Sequence, residues 1–67
     1  MKIKVNSNVL ELNEENQLWF LLKHLSLEEK KGIAVAVNEE VIPKKQWQEF
    51  ILNENDEVII IQAAQGG

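Results

Sequence analysis

Leu18-Trp19-Phe20-Leu21-Leu22-Lys23-His24-Leu25 and, after Gly32, Ile33-Ala34-Val35-Ala36-Val37 hold the change of period that decides the fold. In the first stretch Leu18, Leu21, Leu22 and Leu25 recur at i, i+3, i+4 and i+7, which is one buried stripe of a helix. Trp19 and Phe20 widen that stripe. In the second, five apolar residues run unbroken, the pattern of a strand covered on both faces. Between them, Ser26-Leu27-Glu28-Glu29 has the spacing of a capping box and predicts a short second helical turn. Gly32 stops that turn, after Lys30 and Lys31 at its negative end.

Outward from this centre the chain alternates. Met1, Ile3 and Val5 are separated by Lys2 and Lys4, the period of a half-buried strand. Asn6-Ser7-Asn8 is a turn, since Asn tolerates the left-handed backbone of tight hairpins. Val9 to Leu12 runs back as a second strand, and the polar Asn13-Glu14-Glu15-Asn16 ends in a candidate helix N-cap at Asn16. On the other side, Asn38-Glu39-Glu40 turns the chain into Val41-Ile42, and Pro43 ends that short strand. Trp47, Phe50 and Ile51 are spaced for one or two helical turns. Asn53-Glu54-Asn55-Asp56 is a turn before Val58-Ile59-Ile60-Ile61, the most apolar strand. One helix flanked by two hairpin-like units covers only one face of a sheet. The expected architecture is α+β: a mixed, mostly antiparallel sheet curled around the helix, with the first and last strands side by side in the middle.

The chain has 67 residues, 45 % of them hydrophobic, enough for one small core and too many for a disordered segment. Seven basic residues against eleven acidic ones give a net charge of −4, and every basic residue is Lys. An acidic chain without Arg is a poor fit to nucleic acid or to anionic lipid. No apolar run approaches the roughly 18 residues of a membrane span, and the start reads as a strand rather than a signal peptide, so a cytoplasmic location is expected. There is no cysteine, which removes disulfides, thiolate metal sites, a catalytic thiol and a persulfide carrier.

Enzyme chemistry finds little to use. His24 is the sole His and Asp56 the sole Asp, while Ser7 and Ser26 sit in turn or cap contexts. One His cannot build a zinc site, so no metal is expected. The pairs Glu14-Glu15, Glu28-Glu29 and Glu39-Glu40 fall at turns and helix starts, where solvated acids are ordinary. Trp19, Phe20, Trp47 and Phe50 have the spacing of core or core-edge residues, with Trp47, behind two lysines, the best placed for partial exposure.

What remains is the end of the chain. The expected division is a folded domain over 1–62 and a flexible tail over 63–67, since Ala63-Ala64-Gln65-Gly66-Gly67 has no bulky or charged side chain. Extended, five residues reach about 17 Å. Gly66 and Gly67 pass through a channel too narrow for any other dipeptide and present one ionised α-carboxylate. Joined to AMP, that carboxylate becomes an electrophile able to accept sulfur or an amine. The bland alternative is a frayed terminus.

The chain resembles the ThiS family, the sulfur carriers of thiamine thiazole biosynthesis. The resemblance rests on Ile3-Lys4-Val5-Asn6, Gly32 to Asn38, Val41-Ile42-Pro43 with Trp47 beyond it, Asp56-Glu57-Val58-Ile59-Ile60 and Gln65-Gly66-Gly67. Ser7 and Asn55 stand where the family often has Gly, and Lys44 where it often has Arg. The resemblance implies a ubiquitin-like β-grasp fold. It also implies a carrier that is not itself an enzyme and binds no cofactor. A ThiF-like adenylyltransferase consumes ATP to adenylate Gly67. Sulfur originating from a cysteine desulfurase then makes a thiocarboxylate there, and a ThiG-like thiazole synthase takes the sulfur. Ala64, Gln65 and Gly66 would thread into the partner's active site. Ile59, Ile61, Trp47 and Lys44 are the candidate docking residues, because one pair of alternate residues in Val58–Ile61 should face outward beside glutamates. The rival readings are a small subunit of molybdopterin synthase, a ubiquitin-like modifier and an interaction module with an inert tail.

Overall fold

The computed structural model describes residues 1–13 and 16–63. Strands β1 (Lys2–Val5) and β2 (Asn8–Glu11) precede the helix α1 (Leu18–His24). Strands β3 (Ile33–Val37) and β4 (Glu40–Val41), a 3-10 turn (Lys44–Gln46) and β5 (Glu57–Gln62) follow. The five strands form one sheet in the order β2-β1-β5-β3-β4. β1 and β5 run parallel side by side, and the other pairs are antiparallel. This is the mixed sheet around a single helix that the β-grasp expectation describes.

Alternation assigns the two faces. Ile3, Val35, Val37 and Val58 point at the helix and pack with Leu18, Leu21, Leu22, Ile42, Trp47 and Leu52 into one core. Burying side chains of this size stabilises by about 1.5–3 kcal/mol each before the ordering entropy is subtracted, so these ten residues hold the domain together. Both hairpins turn on a pair of residues with positive φ, Asn6 (50°) with Ser7 (74°) and Asn38 (51°) with Glu39 (72°). That is the backbone of a type I′ turn, whose twist matches the strands it joins. Asn55 takes the same region at 69°, in the turn before β5.

Several expectations are corrected. Asn16 is not the helix cap: Gln17 is, in an extended conformation and without a side-chain cap bond. The entry is held instead by backbone. Leu18 N donates to Phe50 O at 2.9 Å and Leu52 N to Asn16 O at 2.7 Å, with a bridge between Gln17 and Ile51. The second helical turn at Ser26–Glu29 is absent. Ser26, at φ 60°, instead ends α1. Ser26 N donates to Lys23 O (2.9 Å) and Leu27 N to Leu22 O (2.8 Å), the paired bonds of a Schellman motif, with Leu27 packed on the core. Strand β3 is covered on one face only, for Ala34 and Ala36 lie on the side away from the helix. Trp47 is not exposed: it is 2 % accessible, and its indole N–H donates to Ile42 O at 2.9 Å, which lets a polar ring sit in the core.

Among the described residues no helix is long and apolar enough to cross a membrane.

Candidate functional site

The outer face of the sheet carries two kinds of surface. Registers place Lys2 opposite Glu11, and Lys4 opposite both Val9 and Glu57. This end is charged, and a shallow depression of about 460 Å³ there is lined by Lys2, Lys4, Val9 and Glu57 among others. Toward the C-terminal end of β5 the face becomes apolar. Ala36 stands opposite both Val41 and Ile59, making one row across three strands, and Ala34 opposite Ile61 makes the next. Val41 is 70 % exposed, Ile61 60 %, and Ile59 half-buried. Small alanines between larger neighbours leave a shallow strip that runs along β5 toward the tail. Exposed apolar residues grouped in this way are a candidate surface for contact with another protein.

Of the four residues expected to dock a partner, Ile59 and Ile61 share this strip. Trp47 belongs to the core, and Lys44 is exposed on the 3-10 turn, outside the sheet. The rim is not made of glutamates alone, because Lys4 lies beside Glu57. Val41, Ala34 and Ala36 were not foreseen. The alternation of Ala with Val and Ile through 33–37 was the available signal, since small residues at every second position mark a face different from the core.

β5 reaches the tail as a held strand. Ala63 N donates to Gly32 O at 2.8 Å, so pairing continues one residue past the expected boundary at Gln62. Ala64, Gln65, Gly66 and Gly67, the residues expected to thread into and react at a partner's site, lie outside the described residues, as does the Glu14-Glu15 pair.

The remaining chemistry-bearing residues have structural occupations. Asp56 is buried, with Oδ1 accepting from Asn38 Nδ2 (2.9 Å) and Oδ2 from Asn53 N (2.8 Å). Oδ2 closes the turn before β5, and Oδ1 ties that turn to the β3–β4 hairpin. His24 is exposed at the end of α1, beside a groove of about 500 Å³ lined by Glu11, Leu12, Asn13, Phe20 and Lys23. Lys23 lies over the Phe20 ring at 5.7 Å, a cation–π distance. Ser7 and Ser26 occupy positive-φ turns. Among the described residues no three His, Cys, Asp or Glu side chains come together as metal ligands.

Comparison with known proteins agrees with this architecture. The sulfur carrier protein ThiS of Escherichia coli (strain K12) is 27 % identical over 67 residues, covering the whole of both chains. The crystal structure of a thiamine biosynthesis protein (ThiS) from Geobacter metallireducens superposes over the full length of both chains, with a TM-score of 0.81 at 20 % identity. The solution structure of a thiamine biosynthesis protein from the same organism gives 0.77 at 20 % identity, over all of this chain and 88 % of that one. At such identities the two structures establish a shared fold. The ThiS family model matches residues 2–67, so the chain belongs to the ThiS family.

Proposed function

We propose that the protein is a sulfur carrier of thiamine biosynthesis whose cargo is held as a thiocarboxylate on Gly67. The observation that carries this reading is chemical. A chain of the ThiS family that contains no cysteine has no side-chain thiol on which to hold sulfur covalently. A carboxylate carbon, in contrast, accepts sulfur once it is activated.

The activation joins the Gly67 carboxylate to AMP, with ATP as donor and pyrophosphate leaving. A sulfide-equivalent nucleophile then attacks the acyl carbon and AMP departs, leaving the thiocarboxylate. Its sulfur, soft and anionic, attacks an electrophilic carbon of the substrate held by the thiazole-forming partner, and hydrolysis of the resulting acyl–sulfur bond leaves the sulfur on the substrate and restores the Gly67 carboxylate. Each step takes place in another protein's site, so the carrier contributes a stable body and a terminus narrow enough to enter. The partners in this reading are a ThiF-like adenylyltransferase, a ThiG-like thiazole synthase and, indirectly, a cysteine desulfurase. The body docks through the apolar strip of Ile59, Ile61, Ala34, Ala36 and Val41, with Lys44 available to an acidic group nearby.

Intact-mass measurement after incubation with the adenylyltransferase, ATP and a sulfur source tests the reading. The expected product is heavier by one oxygen-to-sulfur exchange, located at Gly67 by fragmentation. Conjugates of high mass would replace it with the modifier reading, and an unchanged mass would leave an inert tail.

A further inference from the structure

Two asparagines hold β5 by side chain as well as backbone. At its start, Asn38 N donates to Glu57 O (2.8 Å) and Glu57 N donates to Asn38 Oδ1 (2.9 Å). Near its end, Asn6 N donates to Val58 O (2.9 Å), Ile60 N donates to Asn6 Oδ1 (2.8 Å), and Asn6 Nδ2 donates to Ile60 O (3.2 Å). The first clip comes from the hairpin turn between β3 and β4. The second lies three residues before Ala63.

The geometry explains why Asn6 is needed there. β1 runs beside β5 only as far as Val5 opposite Val58. The chain then turns away at Asn6 and Ser7 to build the hairpin with β2. The next rung on that edge of β5 belongs to Ile60, where no backbone remains to fill it. The Asn6 carboxamide fills it, because it carries one donor and one acceptor as a peptide group does. Gly takes the same φ but offers no group. Asp lacks the donor and Gln is one methylene too long. Since the Ile60 peptide groups face Asn6, strand alternation turns those of Gln62 the same way, away from β3. On the other edge the ladder to β3 ends with Ala63 N on Gly32 O. The stretch from Ile60 to Ala63 is thus held along one edge by β3 and on the other by a single side chain.

We infer that Asn6 is a positioning residue for loading: its rung on Ile60 fixes the root from which Gly67 is presented to the adenylating partner. The inference rests on the sulfur-carrier reading above. Without the rung, Ile60–Ala63 loosens, and the partner must order it on binding, which raises KM for the carrier while kcat stays near that of the parent.

The test compares Asn6→Gly with Asn38→Gly, glycine being at ease with the positive φ of both turns. Pyrophosphate release by the adenylyltransferase is measured against carrier concentration at a temperature where circular dichroism shows each variant folded. Amide exchange is followed at Ile60 and Ala63. Both variants should have lower unfolding midpoints, but Asn6→Gly alone should raise KM, by about tenfold, and speed exchange at those two amides. Asn6→Asp, which keeps the acceptor for Ile60 N–H and so guards against a variant that fails to fold, should fall between. An equal rise in KM for Asn38→Gly would make the effect one of stability and overturn the assignment, as would an unchanged KM in Asn6→Gly. If the parent chain is not adenylated at all, the carrier reading fails by itself. The rung is then judged by exchange alone, and protection of Ile60 and Ala63 that survives Asn6→Gly overturns it.

Discussion

Ile3 and Ile61 are the same residue on two adjacent strands, and they do opposite things. Ile3 points at the helix and is 1 % exposed, while Ile61 points away and is 60 % exposed. The first is part of the cluster that makes the chain fold, and the second is surface that folding alone gives no reason to keep apolar. The contrast extends along both faces. Inside are Val35, Val37 and Val58, and outside are Ala34, Ala36, Val41 and Ile59. One face of the sheet is committed to stability, and the other carries the strip proposed above for docking.

Truncating the two isoleucines identically measures this division. Ile3→Ala removes buried methylenes from the centre of the core and should cost about 2–5 kcal/mol in chemical denaturation. A domain of this length has only about 3–5 kcal/mol in total, so the variant should be largely unfolded at room temperature. A loss below about 1 kcal/mol would show that the inner face tolerates voids and is not the main support. Ile61→Ala should shift stability by no more than about 0.5 kcal/mol. Its effect should appear instead in loading, where kcat/KM with the adenylyltransferase falls about tenfold, the size of an interface residue worth some 1.4 kcal/mol. Loading at the parent's rate would remove the apolar strip from the docking surface.

Much of this division was legible in the sequence, and the failures have different causes. Leu18, Leu21, Leu22 and Leu25 were assigned to one buried stripe from their spacing; the first three are fully buried, while Leu25, just past the end of α1, is exposed. The pairing of β1 with β5 at the middle of the sheet was likewise expected, from their β-branched residues. Val58–Ile61 was seen to be apolar on both faces, with one pair left outward, and Ile59 and Ile61 are that pair. Two of the misses turn on bonds to residues only a few positions away, and one on a bond across nearly the whole chain. Trp47 looks exposable behind two lysines, yet its indole finds Ile42 O and the ring goes inside. Ser26 has the spacing of a helix start, but the preceding helix takes it as its end. The Asn6 bonds to Ile60 span 54 residues and are invisible until β1 and β5 are laid together. The reading of Gly67 as the reacting group is of another kind: it is a proposal that rests on the chemistry of a carboxylate and on the absence of cysteine, not on tertiary structure.

The smallest expected effect separates the two faces from the turn that joins them. Ser7 is exposed and holds φ at 74°, a region that crowds the Cβ of any residue but glycine. Its partner in the turn, Asn6, is suited to that region and is occupied by Ile60, so Ser7 is the position at which strain is relieved without disturbing a hydrogen bond. Ser7→Gly removes the crowding but gives the unfolded chain more freedom to lose, and the two partly cancel. The net should be a gain of about 0.5 kcal/mol in thermal or chemical denaturation, with kcat/KM for loading unchanged. A loss of stability would mean that the Ser7 backbone is not strained. A change in loading without a change in stability would mean that the β1–β2 turn itself touches the partner, and the docking surface would then have to extend from the outer strip around the edge of the sheet.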